Sequence, residues 1–473
     1  MPITEPPPRG VVDTLAQSLR GELIKPGHAG YEQARALYNA MIDKSPALIA
    51  RCVDAADVMT CVRFARANGI ELAIRGGGHN GGGLGSVDGG LVIDLSPMHG
   101  VRVDPHARTA TVAGGATLGE LDHATHAFGL AVPGGIISTT GVGGLTLGGG
   151  LGHLTRRYGL AIDNLVEADV VLADGKLVRA SESDHSDLFW ALRGGGGNFG
   201  VVTSFTFQAR PVSTVVAGPM LWPLEQGPEV LAFYSDFLAQ APDELNGFFA
   251  FLTVPPGPPF PEELHLKKMC GVVWCYVGSA EDAETALAPV RQALPPALDG
   301  VAEMPLPALQ SAFDALYPPG DQWYWRADFV ESLPPAAIQA HLAHARELPT
   351  WKSTMHLYPI DGAAARVAPD ATAWRYRNAR WAQVIVGVDP DPASAALLRD
   401  WTVCYWEALH PYSLGGAYTN FLMDEGEDRV RASYGANYDR LARIKTTYDP
   451  ANLFHVNQNI RPAAGLEQEN LGR

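Results

Sequence analysis

Residues 71–85 read ELAIRGGGHNGGGLG, and no other stretch says more about the fold. Its first residues are mostly apolar and predict a short strand, which an arginine, three glycines and a histidine follow. Glycine adopts backbone angles and allows close approaches that other residues cannot, so such a loop can wrap tightly around a phosphate-bearing ligand. Arg75 adds a planar, permanently charged donor that suits phosphate. His79 is the exception, because it places a titratable ring in a loop otherwise nearly free of side chains.

The elements around this loop argue against a dinucleotide site of the Rossmann type. The sequence predicts a helix over 31–41, a strand over 47–52, and a helix that begins after Asp54 and ends near Gly69. After the glycines comes another strand, over 91–95, and not a helix. A Rossmann pyrophosphate site needs a helix N-terminus directly behind its glycine turn. We therefore expect a nest of backbone N–H groups between two strands.

Two further glycine-rich runs occupy residues 132–152 and 194–197. A disordered linker would not carry Val, Ile and Leu between its glycines, as the first of these runs does. A backbone packed against a flat or phosphorylated ligand fits better. One extended ligand that threads between all three glycine runs accounts for them together.

The composition changes near residue 213. Residues 214–429 hold most of the proline and tryptophan and alternate strand-like with helical runs, which predicts an antiparallel sheet covered by helices. With 473 residues the chain exceeds the usual size of one domain. We expect an α+β protein with a cofactor domain over 1–213, a substrate domain over 214–429, and a C-terminal segment over 430–473 that returns to the first domain.

Composition and charge exclude several classes of partner. The formal net charge of −16 argues against nucleic acid or an anionic membrane surface, since both need a basic face. The five scattered cysteines describe neither a disulfide scaffold nor a metal site. No signal peptide and no apolar run of membrane-spanning length is visible, so we expect a cytoplasmic protein. The sequence carries no indication of the oligomeric state.

Four motifs resemble a known family. They are RGGGHN at 75–80, RRYGLAIDN at 156–164, RGGGGNFGVV at 193–202 and YDPANLFHVNQNI at 448–460. In this order they are similar to the berberine-bridge-enzyme-like family of FAD-linked oxidases, within the vanillyl-alcohol-oxidase group. The resemblance implies a two-domain PCMH-type FAD-binding fold, with FAD as cofactor and a small molecule and O2 as reactants.

The resemblance also implies the cofactor contacts. It assigns His79 the covalent bond to the 8α-methyl carbon of FAD. Many members add a second bond from a cysteine at the position of Ile137, so we expect a single covalent link. The remaining expected FAD contacts are Arg75, Gly76, Gly77, Gly78, Asn80, Gly81, Pro133, Gly134, Gly135, Thr140, Gly141, Gly144, Gly149, Gly200, Val202 and Asn457. For the glycines of the second and third runs a packing role is the alternative, and for Asn457 it is a turn.

Catalysis is expected to depart from the family pattern. Phe421 stands where alcohol-oxidising members carry a tyrosine base, which favours an amine over an alcohol as substrate. Thr140 stands where the family places Val in oxidases and Leu in dehydrogenases, which favours O2 as acceptor and H2O2 as product.

Three side chains on strand-like segments are the catalytic candidates: Tyr324, His356 and Tyr418. A role as core aromatic is the alternative for each. Two other functions stay open: a dehydrogenase that uses another electron acceptor, and a flavoprotein that sequesters a natural product.

Overall fold

The computed structural model describes residues 9–463, which form three β-sheets and fourteen α-helices. Residues 1–8 and 464–473, parts of the segments expected at the two ends, lie outside the described residues. No helix among those described is both long and apolar enough to cross a bilayer.

The first sheet has four strands in the order β1-β2-β4-β3. Its elements are α1 (Arg9–Ser18), β1 (Glu22–Ile24), α2 (Tyr31–Arg35), β2 (Leu48–Arg51), α3 (Ala55–Asn68), β3 (Leu72–Arg75) and β4 (Leu91–Asp94). The predicted ends of α3 are confirmed: the Asp54 carboxylate accepts from the Asp57 N–H, and Gly69 ends the helix in the left-handed region. Strands β3 and β4 are parallel, yet the connection over 76–90 contains no helix, as predicted.

Helix α2 is shorter than the helix predicted over 31–41. The backbone N–H of Tyr38 donates to Gly78 O and that of Ala40 donates to Asp321 O. The Asn39 amide donates to Gly81 O and Trp323 O. These tertiary bonds replace the i−4 bonds of a helix, and they tie this segment to the glycine loop and to the third sheet.

The second sheet has five antiparallel strands in the order β5-β6-β9-β7-β8. Its elements are β5 (Val101–Asp104), β6 (Thr109–Ala113), α4 (Leu118–His126), α5 (Val142–Leu147), α6 (Thr155–Tyr158), β7 (Leu165–Val171), β8 (Leu177–Ser181), α7 (Ser186–Leu192) and β9 (Val201–Gln208). Helix α5 was not predicted; it begins after Gly141, inside the second glycine run.

The third sheet is antiparallel and has eight strands, with β14 paired to β10 beside the order β13-β10-β12-β11-β16-β17-β15. Its elements are β10 (Thr214–Pro223), α8 (Gly227–Gln240), β11 (Leu245–Thr253), β12 (Lys268–Tyr276), α9 (Ala280–Ala293), β13 (Leu298–Asp299), β14 (Ala302–Pro305), α10 (Leu306–Gln310), β15 (Gln322–Val330), α11 (Pro335–Ala345), β16 (Thr354–Pro359), β17 (Trp381–Asp389) and α12 (Ala395–Leu409). The predicted antiparallel sheet covered by helices is confirmed.

Alternation along these strands separates two faces. Phe249, Met355 and Leu357 pack into the core beneath helices α8, α9, α11 and α12. Phe248 and Tyr358, one residue out of step, point to the other face and toward the glycine loops. This second face is the part of the sheet that positions the site.

The C-terminal segment contains α13 (Glu427–Tyr434) and α14 (Tyr438–Tyr448), which pack in the core of the second sheet. Lys445 on α14 is fully buried and donates to Asp449 Oδ2, Asn198 O and Phe454 O at 2.6–2.8 Å. Hydrogen bonds of this one side chain thus connect the loop directly after the third glycine run with residues 449–454. The domain boundaries at 213 and 429 stay a prediction.

Candidate active site

A deep cavity lies between the second face of the third sheet and the three glycine runs. About 360 Å³ of it is open to the centre of a water-sized sphere. Its walls come from residues 72–85, 135–151 and 196–205, from strands β15, β16 and β17, and from residues 454–458. The three glycine runs that the sequence singled out therefore meet at one place.

His79 lies on the cavity wall between two residues that hold its ring. Its Nε2 is 3.0 Å from the Thr139 hydroxyl, and the ring stacks on Tyr38 with centroids 3.9 Å apart. Its Nδ1 has no hydrogen-bond partner among residues 9–463. Enclosure by protein lowers the pKa of His79 to about 4, so the ring is neutral at pH 7 and one nitrogen keeps a free lone pair.

Two glycine runs touch through their backbones. A Cβ added at Gly77 would lie 2.4 Å from Gly141 N, and one added at Gly141 would lie 2.3 Å from Gly77 N. No side chain fits there, so this approach needs glycine on both sides. The predicted glycines that line the cavity are Gly76, Gly77, Gly78, Gly135, Gly141, Gly144 and Gly200.

Arg75 lines the cavity at the end of β3. Its Nη2 bonds Asp94 Oδ2 at 3.0 Å across the β3–β4 pair, and both side chains are buried. Its Nη1 is buried without a partner. Half of the guanidinium is thus committed to the sheet, and the other half remains free to meet a ligand.

The C-terminal segment closes one side of the cavity. The Asn457 amide donates to Gly197 O and Phe454 O, and its Oδ1 is buried without a partner. Gln458 donates to Leu422 O and Met423 O. Asn457 therefore offers an unused acceptor toward the third glycine run.

Aromatic side chains form the wall opposite the glycines. This aromatic wall consists of Phe313, Tyr317, Trp323, Trp325, His356, Tyr358 and Phe421. None of them carries a formal charge with His356 neutral, since burial lowers the pKa of His356 to about 3. Among the described residues, Arg75 is the one charged side chain that lines the cavity, and it lies at the far side. The aromatic wall suits an uncharged, planar ligand.

The chain resembles known proteins over nearly its full length. Residues 46–181 match the model of an FAD binding domain, and residues 417–461 match the model described as berberine and berberine like. An FAD-linked oxidoreductase of Dictyostelium discoideum is 30% identical, with 96% of this chain and 97% of that protein covered. The uncharacterized FAD-linked oxidoreductase YgaK of Bacillus subtilis is 33% identical, with 94% and 97% covered. This chain belongs to the berberine-bridge-enzyme-like family.

A solved structure supports the fold of this family member. The crystal structure of 6-hydroxy-D-nicotine oxidase from Arthrobacter nicotinovorans superposes with a TM-score of 0.84 at 27% identity, covering 94% of this chain and 99% of that one. The predicted α+β, two-domain PCMH-type FAD-binding fold is therefore confirmed, and the chain is an FAD-linked oxidoreductase.

The residues present fit FAD, the cofactor of this family. A Cβ at Gly144 or Gly197 would meet no protein atom within 4 Å, so the glycine runs leave open space beside exposed backbone. Arg75 Nη1 and Asn457 Oδ1 are buried polar atoms that lack a partner. Because Arg75 is the one cation that lines the described part of the cavity, and Asp94 holds half of its guanidinium, a pyrophosphate here would depend mainly on backbone N–H groups.

Four of the expected FAD contacts are not on the cavity wall. Gly81 packs against Trp325, since a Cβ there would lie 2.3 Å from the indole ring. Gly134 packs against Leu118, and Gly149 against Trp374, for the same reason. Pro133 is also absent from the cavity wall. Each of these glycines has a packing role, and its contact with FAD stays a prediction. The other expected contacts, Asn80, Thr140, Val202 and Asn457, line the cavity.

The three catalytic candidates differ in their position. His356 and Tyr418 line the cavity, whereas Tyr324 does not, and the Tyr418 hydroxyl is already hydrogen-bonded to protein. Tyr324 points away from the cavity: its hydroxyl accepts from Arg326, and Arg399 of α12 lies 5.9 Å from its ring. Trp323 and Trp325, its neighbours on β15, line the cavity instead. The sequence thus identified a strand that lines the cavity but chose the wrong one of its two faces.

Tyr418 reaches the cavity but its hydroxyl is already used. It accepts from Gly150 N–H at 2.9 Å and from the Asn420 amide at 2.8 Å. Burial raises the pKa of Tyr418 to about 12. The residue lies in the turn before a short 3₁₀ helix (Thr419–Phe421) and not on a strand as expected. Its geometry is that of a structural anchor.

His356 lines the cavity within its aromatic wall. Its Nδ1 lies 2.6 Å from the Tyr358 hydroxyl, two residues along β16 on the same face. Tyr358 was not among the catalytic candidates chosen from the sequence. Thr139 and Tyr38, which hold His79, were also missed, because no local pattern links either of them to the glycine loop.

Proposed function

We propose that this chain is an oxidase that holds FAD through a single covalent bond to His79. It takes a hydride from a small aromatic or heterocyclic alcohol or amine and passes the electrons to O2. When bound, FAD accepts the hydride from a substrate C–H bond and gives two electrons to O2, forming H2O2. The observation that carries the proposal is the neutral His79 ring, held by Thr139 and Tyr38, with Nδ1 unpartnered.

The role of the protein is to hold the cofactor, to orient it and to enclose it. Tyr38 and Thr139 fix the plane and tilt of the His79 ring, so the bond would lock the cofactor in one position. The glycine runs supply backbone N–H groups where side chains would block a flat ligand. Ile137 lines the cavity and offers no thiol, which supports one covalent bond and not two.

The aromatic wall determines which shape and charge of substrate the cavity can accept. Its rings bury a planar ligand, and the absence of a carboxylate among its described residues disfavours a substrate that must bind as a cation. The resemblance to 6-hydroxy-D-nicotine oxidase, whose name gives a heterocyclic substrate, supports the same size and type of ligand. Thr140 on the cavity wall, close in shape to Val, supports oxygen as the electron acceptor.

Anaerobic mixing tests the reaction. We expect bleaching of the flavin absorption band by an aromatic or heterocyclic alcohol or amine, and one equivalent of H2O2 when O2 is admitted. Binding without bleaching for every such compound would contradict the proposal and favour sequestration.

The acceptor is tested with a matched pair of variants. Thr140→Leu, which adds bulk, should slow reoxidation by O2 at least tenfold, while Thr140→Val should reoxidise like the wild type. Slow reoxidation of the wild-type protein itself would favour a dehydrogenase with another acceptor.

A further inference from the structure

The aromatic wall contains one polar pair that nothing else in the described chain engages. His356 Nδ1 and Tyr358 Oη are 2.6 Å apart, and neither side chain has another hydrogen-bond partner among residues 9–463. His356 lines the cavity, and its Nε2 is not fully buried, so this nitrogen stays accessible from the cavity. A polar pair with no other protein partner, on the wall of a ligand cavity, is available to a ligand.

The pair lies beside the position where the family's base is missing. The rings of Tyr358 and Phe421 have centroids 5.7 Å apart. A tyrosine at position 421 would add its hydroxyl at the rim of the same space. Tyr418, whose ring packs edge-on against Phe421 at 4.9 Å, has its hydroxyl engaged by Gly150 and Asn420.

We propose that His356 and Tyr358 together accept the hydroxyl proton of the substrate, and that the substrate is therefore an uncharged aromatic or heterocyclic alcohol. This inference rests on the proposed function. Phe421 favours an amine because phenylalanine cannot accept a proton, but with this pair on the aromatic wall a proton acceptor for an alcohol is present.

The step balances as an alcohol oxidation. The substrate carbon loses hydride, with its electron pair, to the bound flavin. The hydroxyl proton passes to Tyr358 Oη as the Tyr358 proton passes to His356 Nδ1, and a C=O bond forms. The carbon is oxidised by two electrons and the flavin is reduced by two. O2 then takes these two electrons with the flavin hydrogen and the proton held by the pair, which gives H2O2, oxidised flavin and neutral His356.

The surroundings of the pair are compatible with this role. Burial lowers the pKa of His356 to about 3, so the ring is neutral at pH 7 and its unprotonated nitrogen takes a proton only from a strong acid. A weak base is sufficient, because hydride departure turns the hydroxyl into a strongly acidic protonated carbonyl. Tyr317 is the other titratable group on the aromatic wall, and Phe248, 5.1–5.2 Å from both rings, packs behind the pair.

The kinetic test compares alcohol with amine on one skeleton. Benzyl alcohol and benzylamine, and the two pyridylmethyl analogues, are mixed anaerobically with the holoenzyme. Because a positioned acid or base typically contributes about 10²- to 10⁴-fold, Tyr358→Phe and His356→Phe should slow flavin reduction by the alcohol by that factor. Reduction by the amine should change less than tenfold. Tyr324→Phe, on the opposite face of the sheet and two strands away on β15, is the control and should behave like the wild type.

A rescue variant separates catalysis from structure. Phe421→Tyr in the Tyr358→Phe background supplies a hydroxyl beside the same space and should recover the alcohol rate at least tenfold. No recovery, together with equal losses for alcohol and amine, would overturn the proposal.

A binding measurement is independent of turnover. Wild-type protein should bind phenol at least tenfold more tightly than anisole, which has no hydroxyl proton, and Tyr358→Phe should lose that preference. An unchanged preference in the variant would contradict a contact between the pair and a hydroxyl. If the amines bleach the flavin and the alcohols do not, this inference fails while the proposed function stands. If neither class bleaches it in any pair, the proposed function fails, and the inference with it.

Discussion

The buried ion pair between Lys445 of α14 and Asp449, which follows this helix, allows a quantitative prediction about stability. Lys445 and Asp449 are both fully buried, 2.7 Å apart, and Lys445 also donates to Asn198 O and Phe454 O. Lys445→Met keeps much of the volume but leaves the Asp449 carboxylate buried without a cation. Breaking a buried pair by removal of one partner costs about 3–5 kcal/mol in the free energy of unfolding.

The double variant Lys445→Met/Asp449→Asn is the matched control. The Asn side chain has one oxygen, so it keeps the bond from one of the N–H groups of Leu453 and Phe454, which now bond the two oxygens of Asp449, and loses the other. With the orphaned charge removed, we expect the loss to fall to roughly half that of the single variant. Urea unfolding, followed by tryptophan fluorescence, measures both. A single variant as stable as the wild type, or a double variant less stable than the single one, would refute this reasoning.

Three further predictions concern the site and its protonation. Tyr418→Phe removes the acceptor for Gly150 and Asn420 and should lower the unfolding free energy by about 2 kcal/mol, while flavin reduction stays within threefold of the wild type; a hundredfold loss of rate would restore a catalytic role. Gly144→Ala meets no protein atom and should fold like the wild type but incorporate less flavin, measured by absorbance; full incorporation would move the cofactor away from Gly144. Burial lowers the pKa of His153 to about 4 and of His341 to about 3, so the unfolded chain binds protons that the folded one does not, and stability should fall as pH drops from 6.5 toward 4, by about 1 kcal/mol per histidine per pH unit. Urea midpoints at pH 7 and pH 5 check this, and equal midpoints would contradict it.

Local chemistry made much of the fold predictable. Asp54 and Gly69 mark the ends of α3 because capping depends on neighbours a few residues away. The glycine loop between β3 and β4 follows from a strand on each side and no helical pattern between them. Alternation likewise placed His356 on a strand of the third sheet.

The remaining features depend on distant parts of the chain. Thr139 meets His79 only because the second glycine run folds against the first, and a sequence carries no local trace of that contact. The face of β15 that meets the cavity is set by the packing of α12 on the other side, which is why Tyr324 was chosen and Trp325 was not. Helix α2 stops early because tertiary bonds to other elements compete with its own.

The most direct test of the central claim is the fate of the flavin when the protein is unfolded. Wild-type protein, denatured in acid or detergent and run on a gel, should keep a yellow, fluorescent flavin and show the mass of one FAD added to the chain. His79→Ala should release all of its flavin under the same conditions, and Tyr38→Phe, which keeps the stacked ring, should release none. Release of all flavin from the denatured wild-type protein, or its retention by His79→Ala, would contradict the account.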